Sequence, residues 1–270
     1  MQMIPPHPET DLKAQFAASL ADATDAMAMT FFRKPLDVEA KADDSPVTQA
    51  DRAIEKEMRR QISERFPADG ILGEEQEATR LDAANLWVID PIDGTKSFLS
   101  GMPTFGTLIA CLIDGNPDLG LISIPPTAER WIGQRGKPTL LNGTPCRTSG
   151  KTLLRDAILY TTSPDSFDVA GLAQFEALSK RTALRRFGGD CYGYGLLASG
   201  HVDLLFEMNL QPYDYMALVP VIEGAGGVVT DWDGQPLTLR SEGKVVAAAS
   251  AALHAEALAA LRRDESDPQS

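Results

Sequence analysis

The chain has 270 residues, 43% hydrophobic and 23% charged, and its 25 Lys and Arg against 38 Asp and Glu leave a net charge of −13. That acidity argues against non-specific binding to nucleic acid or an anionic membrane, which needs basic surface, but small anionic substrates stay open where a metal inverts the local field. No apolar run approaches a membrane span, the opening MQMIPPHPET lacks the basic and apolar regions of a signal peptide, and the three separated cysteines, Cys111, Cys146 and Cys191, suit a reducing cytoplasm better than a disulfide framework.

Histidine is scarce: His7, His201 and His254 stand apart, none with a metal-ligand neighbour. Catalysis in this chain is therefore expected to run on carboxylates.

Apolar residues at Leu12, Phe16, Leu20, Ala23, Met27 and Phe31 predict a helix over 10–32, ended by Lys34-Pro35. Asp43-Asp44-Ser45-Pro46 reads as a loop, and a second helix is expected over 52–66 with Asp51 at its start. A short strand at Ile71-Leu72 runs into Gly73-Glu74-Glu75. The continuous apolar run over 86–89 predicts a strand buried on both faces. Strands follow at 107–113, 120–124 and 130–133, joined by turns at Asp114-Gly115-Asn116-Pro117 and Pro125-Pro126.

The composition turns polar over 143–151, a soft boundary between an N-terminal α+β lobe, 1–145, and a C-terminal α/β lobe, 146–270. Beyond it, strands are expected at 157–160, 185–187, 202–206 and 228–230. Helices are expected at 168–180, 192–198 and 213–223, and 262–270 reads as a polar, frayed tail. No internal repeat appears.

Two acids close the buried strand at Asp90-Pro91-Ile92-Asp93, with Gly94-Thr95 directly after. Hard cations such as Mg²⁺ take oxygen ligands, commonly a few carboxylates plus water and phosphate oxygens. The Ile92 carbonyl adds another oxygen, and a helix opening at Gly94-Thr95 would aim free N–H groups at an anion. An Asp-Gly turn with Thr95 as a cap fits the same residues. Glu74 and Glu75 read equally as a solvated pair, and Asp51, Asp190 and Asp214 as helix caps.

Taken together, the elements Pro46-Val47-Thr48-Gln49-Ala50-Asp51, Gly73-Glu74-Glu75, Trp87 through Thr95, and Tyr213-Asp214 through Gly226-Gly227 resemble, in order, the signature of the inositol monophosphatase superfamily. The resemblance covers nearly the whole chain and implies a layered α-β-α-β-α sandwich of the α+β class. It implies a Mg²⁺-dependent phosphatase whose two or three ions are held by Glu74, Asp90, the Ile92 carbonyl, Asp93 and Asp214. By the same resemblance, Thr95, oriented by Asp51 and Glu75, positions the attacking water. The Gly94 and Thr95 N–H groups hold the phosphate, and the protein is a homodimer. Most ligands then fall in the N-terminal lobe, and one ligand with the substrate-binding residues in the C-terminal lobe.

Departures from the inositol enzymes point to a branch. Lys96-Ser97-Phe98 follows Thr95, and the stretches Gly101 to Thr107, Gly188 to Tyr194 and Glu223 to Gly227 are similar to the histidinol-phosphate phosphatases. The alignment places Gly189, Asp190 and Glu207 at the substrate, with Asp190 where the inositol enzymes carry a small residue. Two pocket acids suit the ammonium and imidazole of L-histidinol phosphate. Inositol 1-phosphate and 3′-phosphoadenosine 5′-phosphate are the alternative substrates, and a metal-dependent sugar-phosphate binding module is the non-enzymatic alternative. A haloacid-dehalogenase type phosphatase needs its two aspartates two apart; Asp90 and Asp93 are three apart.

Overall fold

The structure is a computed structural model that describes residues 10–35, 38–40 and 46–264. The N-terminal stretch, the Asp43-Asp44-Ser45 part of the predicted loop and residues 265–270 of the predicted tail lie outside the described residues.

Helix α1 spans Thr10–Phe31, followed by β1 (Val38–Ala40), β2 (Pro46–Thr48), α2 (Gln49–Arg65), β3 (Gly70–Gly73), β4 (Asn85–Asp93) and α3 (Thr95–Ser100). Then come β5 (Gly106–Ile113), β6 (Asn116–Ile124), β7 (Glu129–Gln134), β8 (Leu140–Leu141) and β9 (Thr144–Pro145). Strands β3 to β9 form one seven-stranded sheet in sequence order, with β3 and β4 parallel and the remaining neighbours antiparallel.

The second half holds β10 (Ile158–Thr161), α4 (Val169–Ser179), β11 (Leu184–Phe187), α5 (Asp190–Ala198), β12 (Leu204–Glu207), α6 (Pro212–Tyr215) and α7 (Leu218–Gly224). It ends with β13 (Val228–Thr230), β14 (Val245–Ala248) and α8 (Ala251–Asp264). The five strands of this half make a second sheet in the order β11-β10-β12-β14-β13.

Side-chain alternation along β4 builds the layers. Trp87 and Ile89 face α1 and α2, packing with Leu20, Ile54, Met58 and Ile62. Leu86 and Val88 face the other way, onto Tyr194 and Leu197 of α5 and Val221 and Ile222 of α7, with Leu205 and Val245 of the second sheet behind them. The far face of the second sheet, Leu204, Phe206 and Val246, packs on Phe175 of α4 and on Leu253 and Ala257 of α8. The order helix, sheet, helix, sheet, helix is the expected α+β sandwich, and both faces of the 86–89 run are buried as expected. Among the described residues, no helix is long and apolar enough to cross a membrane.

Three local expectations are corrected. Helix α2 starts three residues early because Thr48 caps it, its hydroxyl accepting from the Ala50 N–H at 3.0 Å. The helix expected over 213–223 is two helices, α6 and α7. The residues expected as a frayed tail are helical up to Asp264, as the end of α8. Strand β14 and most of α8 were not expected at all.

Candidate metal and phosphate site

The candidate site forms where β4 ends. The Asp90-Pro91-Ile92-Asp93 stretch is the end of the strand itself, and its register against β5 slips between Asp90 and Asp93. Residues three apart on a regular strand point to opposite faces; a bulge lets them converge. Proline gives the ladder no N–H, and the Pro91 carbonyl is held by the Thr107 hydroxyl at 2.9 Å. The Ile92 N–H donates to Asp90 Oδ1 at 3.0 Å.

Asp214 reaches the same place from the second half of the chain, on α6, which packs against β4. It stands at the third position of α6, not at the cap of the alternative reading, and accepts the N–H of the capping residue Gln211 at 2.6 Å. Carboxylate oxygens of Asp90, Asp93 and Asp214 lie within 4.8 Å of one another.

The electrostatics of this cluster are those of acids crowded together. Burial, and after it the charges of Glu74, Asp93 and Asp214, pushes the Asp90 carboxyl well above its ordinary range. Burial and the neighbouring Asp190 raise Asp93 too, against the Cys191 N–H that donates to its Oδ2 at 2.6 Å. The structure thus brings four predicted ligands, Glu74, Asp90, Asp93 and Asp214, into one field. All the donors are oxygens and the dominant charge effects on Asp90 are repulsive, which fits a hard divalent cation.

Gly94 adopts φ +81 and leads into α3, whose first residue, Thr95, donates its hydroxyl to the Ile92 carbonyl at 3.3 Å. A side chain at position 94 would also place its Cβ 2.6 Å from Asp190 Cγ. Asp51 is fully buried; it occupies the third position of α2 rather than the cap, and its Oδ2 accepts the Thr48 N–H at 2.9 Å. Strand β2, just before it, packs on α3. Glu75 is half-buried in the turn after β3, and its own N–H donates to Glu55 Oε2 at 2.6 Å.

The predicted substrate residues Asp190 and Glu207 lie beside the acid cluster, both close enough to couple to the Asp93 charge. Gly189 precedes α5 with φ +120, and Asp190 opens the helix at φ +47, a backbone region uncommon for a residue other than glycine. Asp190 does not fill the helix-cap role of the alternative reading, since Gly189 holds the cap position. Its Oδ2 accepts the Ser97 hydroxyl at 2.6 Å and the Thr104 hydroxyl at 3.2 Å, so it ties α5 to the segment after Gly94. Its Oδ1 makes no hydrogen bond among the described residues. Burial raises Asp190, with Ser97, Thr104 and Lys96 opposing.

Glu207, at the end of β12, is 1% exposed. It accepts from the Thr161 hydroxyl at 3.1 Å, the Thr162 N–H at 2.7 Å and the Thr162 hydroxyl at 3.0 Å, and burial pushes it up to about 7. It lies close enough to Asp93 to feel its charge.

Sequence reading missed the residues that hold these acids in place: Glu55, Ser97, Thr104 and the Cys191 N–H. Glu55 alone left a signal, an acid inside the apolar stripe Ile54, Met58, Ile62 of α2.

With this geometry in view, known proteins supply the context. The inositol monophosphatase family pattern matches residues 9–266. The chain is 44% identical over 262 residues to the protein named bifunctional phosphatase IMPL2, chloroplastic, of Arabidopsis thaliana, covering 94% of this chain and 76% of that one. It is 34% identical to a histidinol-phosphatase of Chlorobaculum parvum, covering 94% of this chain and 98% of that one. The solved structure of an inositol monophosphatase from Zymomonas mobilis superposes with a TM-score of 0.87 at 44% identity, covering 95% of this chain and 99% of that one. An oxygen-only acid cluster on a bulged strand end, within a fold and a sequence pattern shared over nearly the full length, leads to one assignment: the chain belongs to the inositol monophosphatase family.

Proposed function

We propose that the protein is a Mg²⁺-dependent hydrolase of small phosphate monoesters and that L-histidinol phosphate is its preferred substrate. The convergence of Asp90, Asp93 and Asp214 within 4.8 Å carries the first half of this reading. Those three, with Glu74 and the Ile92 carbonyl, would hold two or three Mg²⁺ ions. The chemistry supplied by bound Mg²⁺ is acidification of a water and neutralisation of charge on the leaving oxygen.

The chain's own groups do the positioning. Gly94, whose φ of +81 opens the turn, and Thr95 present N–H groups to the phosphate. Thr95, with Asp51 and Glu75 behind it, orients the attacking water. Gly189, Asp190 and Glu207 line the substrate side. Among the described residues, Asp190 and Glu207 take their hydrogen bonds from hydroxyl and amide groups, not from ammonium or guanidinium groups. Ionised, they would pair with the cationic groups of histidinol phosphate, whereas inositol phosphate offers only neutral hydroxyls. The 34% identical histidinol-phosphatase supports the same substrate. The 44% identical Zymomonas structure favours inositol 1-phosphate as the second reading. By family resemblance we also place the active form as a homodimer.

The test is phosphate release by the purified protein in Mg²⁺ from L-histidinol phosphate, myo-inositol 1-phosphate and 3′-phosphoadenosine 5′-phosphate, side by side. A preference of about a hundredfold for the first, about 2.7 kcal/mol of differential transition-state binding, is expected. Preference for another ester keeps the metal site and overturns the substrate roles of Asp190 and Glu207. Binding of the esters without release from any of them would establish a binding module instead.

A further inference from the structure

A fully buried carboxylate lies directly behind the turn that carries Glu74 and Glu75. Glu55, on α2, is 0% exposed. Its Oε2 accepts the Glu75 N–H at 2.6 Å, and its Oε1 accepts the Gln76 N–H at 3.0 Å and Arg59 Nε at 2.7 Å. Arg59 in turn donates to the Gln76 carbonyl at 3.0 Å, so carboxylate and guanidinium together grip both polar groups of one residue of the turn. Approach from the strand side is equally close. A Cβ added at Gly73 would lie 2.5 Å from Glu55 Oε1 and 2.9 Å from Arg59 Nη2, so only glycine lets β3 end against this pair.

Glu55 follows Asp51 by four residues, one turn further along the same buried face of α2. One rigid helix therefore carries Asp51 itself and, through Glu55, the backbone from which the Glu74 and Glu75 side chains project. A turn with no such anchor would be free to move its carboxylates by more than metal ligation tolerates, since groups behind the ligands set their orientation.

We infer that Glu55 is a positioning residue: by holding the Glu75 and Gln76 N–H groups it fixes Glu74 toward the metal cluster and Glu75 toward the attacking water. This rests on the reading of Glu74 as a metal ligand. Glu55→Gln keeps the size but turns one acceptor into an NH₂ group, which meets an N–H donor on either side.

The experiment is calorimetric titration of the full chain with Mg²⁺, without substrate. It is joined to the Mg²⁺ dependence of phosphate release and to thermal melting in EDTA. In Glu55→Gln, the Mg²⁺ dissociation constant and the Mg²⁺ concentration giving half-maximal rate should both rise about tenfold or more, while the rate at saturating Mg²⁺ changes much less. Gly73→Ala, which presses on the same carboxylate from the strand side, should weaken Mg²⁺ in the same way. Unchanged Mg²⁺ affinity in a folded Glu55→Gln overturns the inference. Should that variant not fold, unchanged affinity in Gly73→Ala overturns it. A wild-type chain that binds no Mg²⁺ removes the metal reading itself, an outcome distinct from a wild type and variant that bind alike.

Discussion

Replacing Gly94 with alanine loads the joint between the end of β4 and α5. Gly94 has φ +81 and ψ 44, the left-handed region, where a residue with a Cβ costs about 1–2 kcal/mol. The new Cβ would also stand 2.6 Å from Asp190 Cγ and 2.9 Å from Asp190 Cβ, so the aspartate must move. Moving it stretches the Ser97 and Thr104 hydrogen bonds at 2.6 and 3.2 Å. Bonds to a charged acceptor contribute about 1.5–3 kcal/mol, and the lower end applies because Asp190 is partly exposed. The sum is about 3 kcal/mol, equivalent to about 6–12 °C in melting temperature for a chain of this size. The assay is thermal and urea unfolding of Gly94→Ala in EDTA, so that metal binding does not enter. Repeating the substitution in an Asp190→Gly background removes the Asp190 Cβ, Cγ and Oδ2 atoms that the new Cβ would meet but keeps the backbone strain at position 94, so its cost there should fall to about 1–2 kcal/mol. A loss below about 1 kcal/mol in the wild-type background, or the same loss in both backgrounds, would refute the argument.

Other predictions use the same structure. Asp93→Asn should abolish Mg²⁺-dependent phosphate release and also the rise in melting temperature that Mg²⁺ gives the wild type; a substantially active variant would sink the ligand assignment. Asp190→Ala should cut the preference for histidinol phosphate over inositol 1-phosphate, and an unchanged ratio of kcat/KM values would remove Asp190 from substrate selection. Lys13 Nζ lies 2.9 Å from Asp69 Oδ2, deep against Trp87, whose Nε1 donates to the same oxygen at 3.0 Å. Lys13→Met, which strands that carboxylate, should cost about 3–5 kcal/mol, with Asp69→Asn recovering part of it in the double variant by urea unfolding. Burial holds the His254 imidazole below its ordinary 6.5, so the unfolded chain takes up a proton that the folded chain refuses. Stability from this group is fully present above pH 6.5 and is lost as pH falls below that value. His254→Gln should flatten the unfolding free energy just below that pH, and an unchanged slope there would count against the burial argument.

The order of the motifs and the buried strand before Asp90 were legible in the chain because both are local. A run of apolar residues ending in Asp-Pro-Ile-Asp-Gly-Thr specifies a strand and an oxygen-rich terminus wherever it folds. What the sequence alone left undecided was settled by packing. Val245 to Ala248 is an interior strand with every residue buried, and α8 follows it, yet the stretch is so rich in alanine that no periodicity of 2 or 3.6 stands out. Asp51, Asp190 and Asp214 each read as a helix cap, since capping is the commonest use of an aspartate at a helix start. The tertiary structure moved Asp51 and Asp214 to third positions and turned Asp190 onto Ser97 and Thr104, 93 and 86 residues away in the chain. The place of Glu55 inside the apolar stripe of α2 marks it as buried, but its partners are the backbone N–H groups of a turn twenty residues on, and a pattern of side chains carries no record of which distant N–H a carboxylate will meet. The sequence by itself determined which acids were present and in what order. The bulge in β4, the docking of α6 and the anchor on α2 decided that four of them share one field, because convergence of side chains from separate elements is a property of how layers pack and not of any stretch within them.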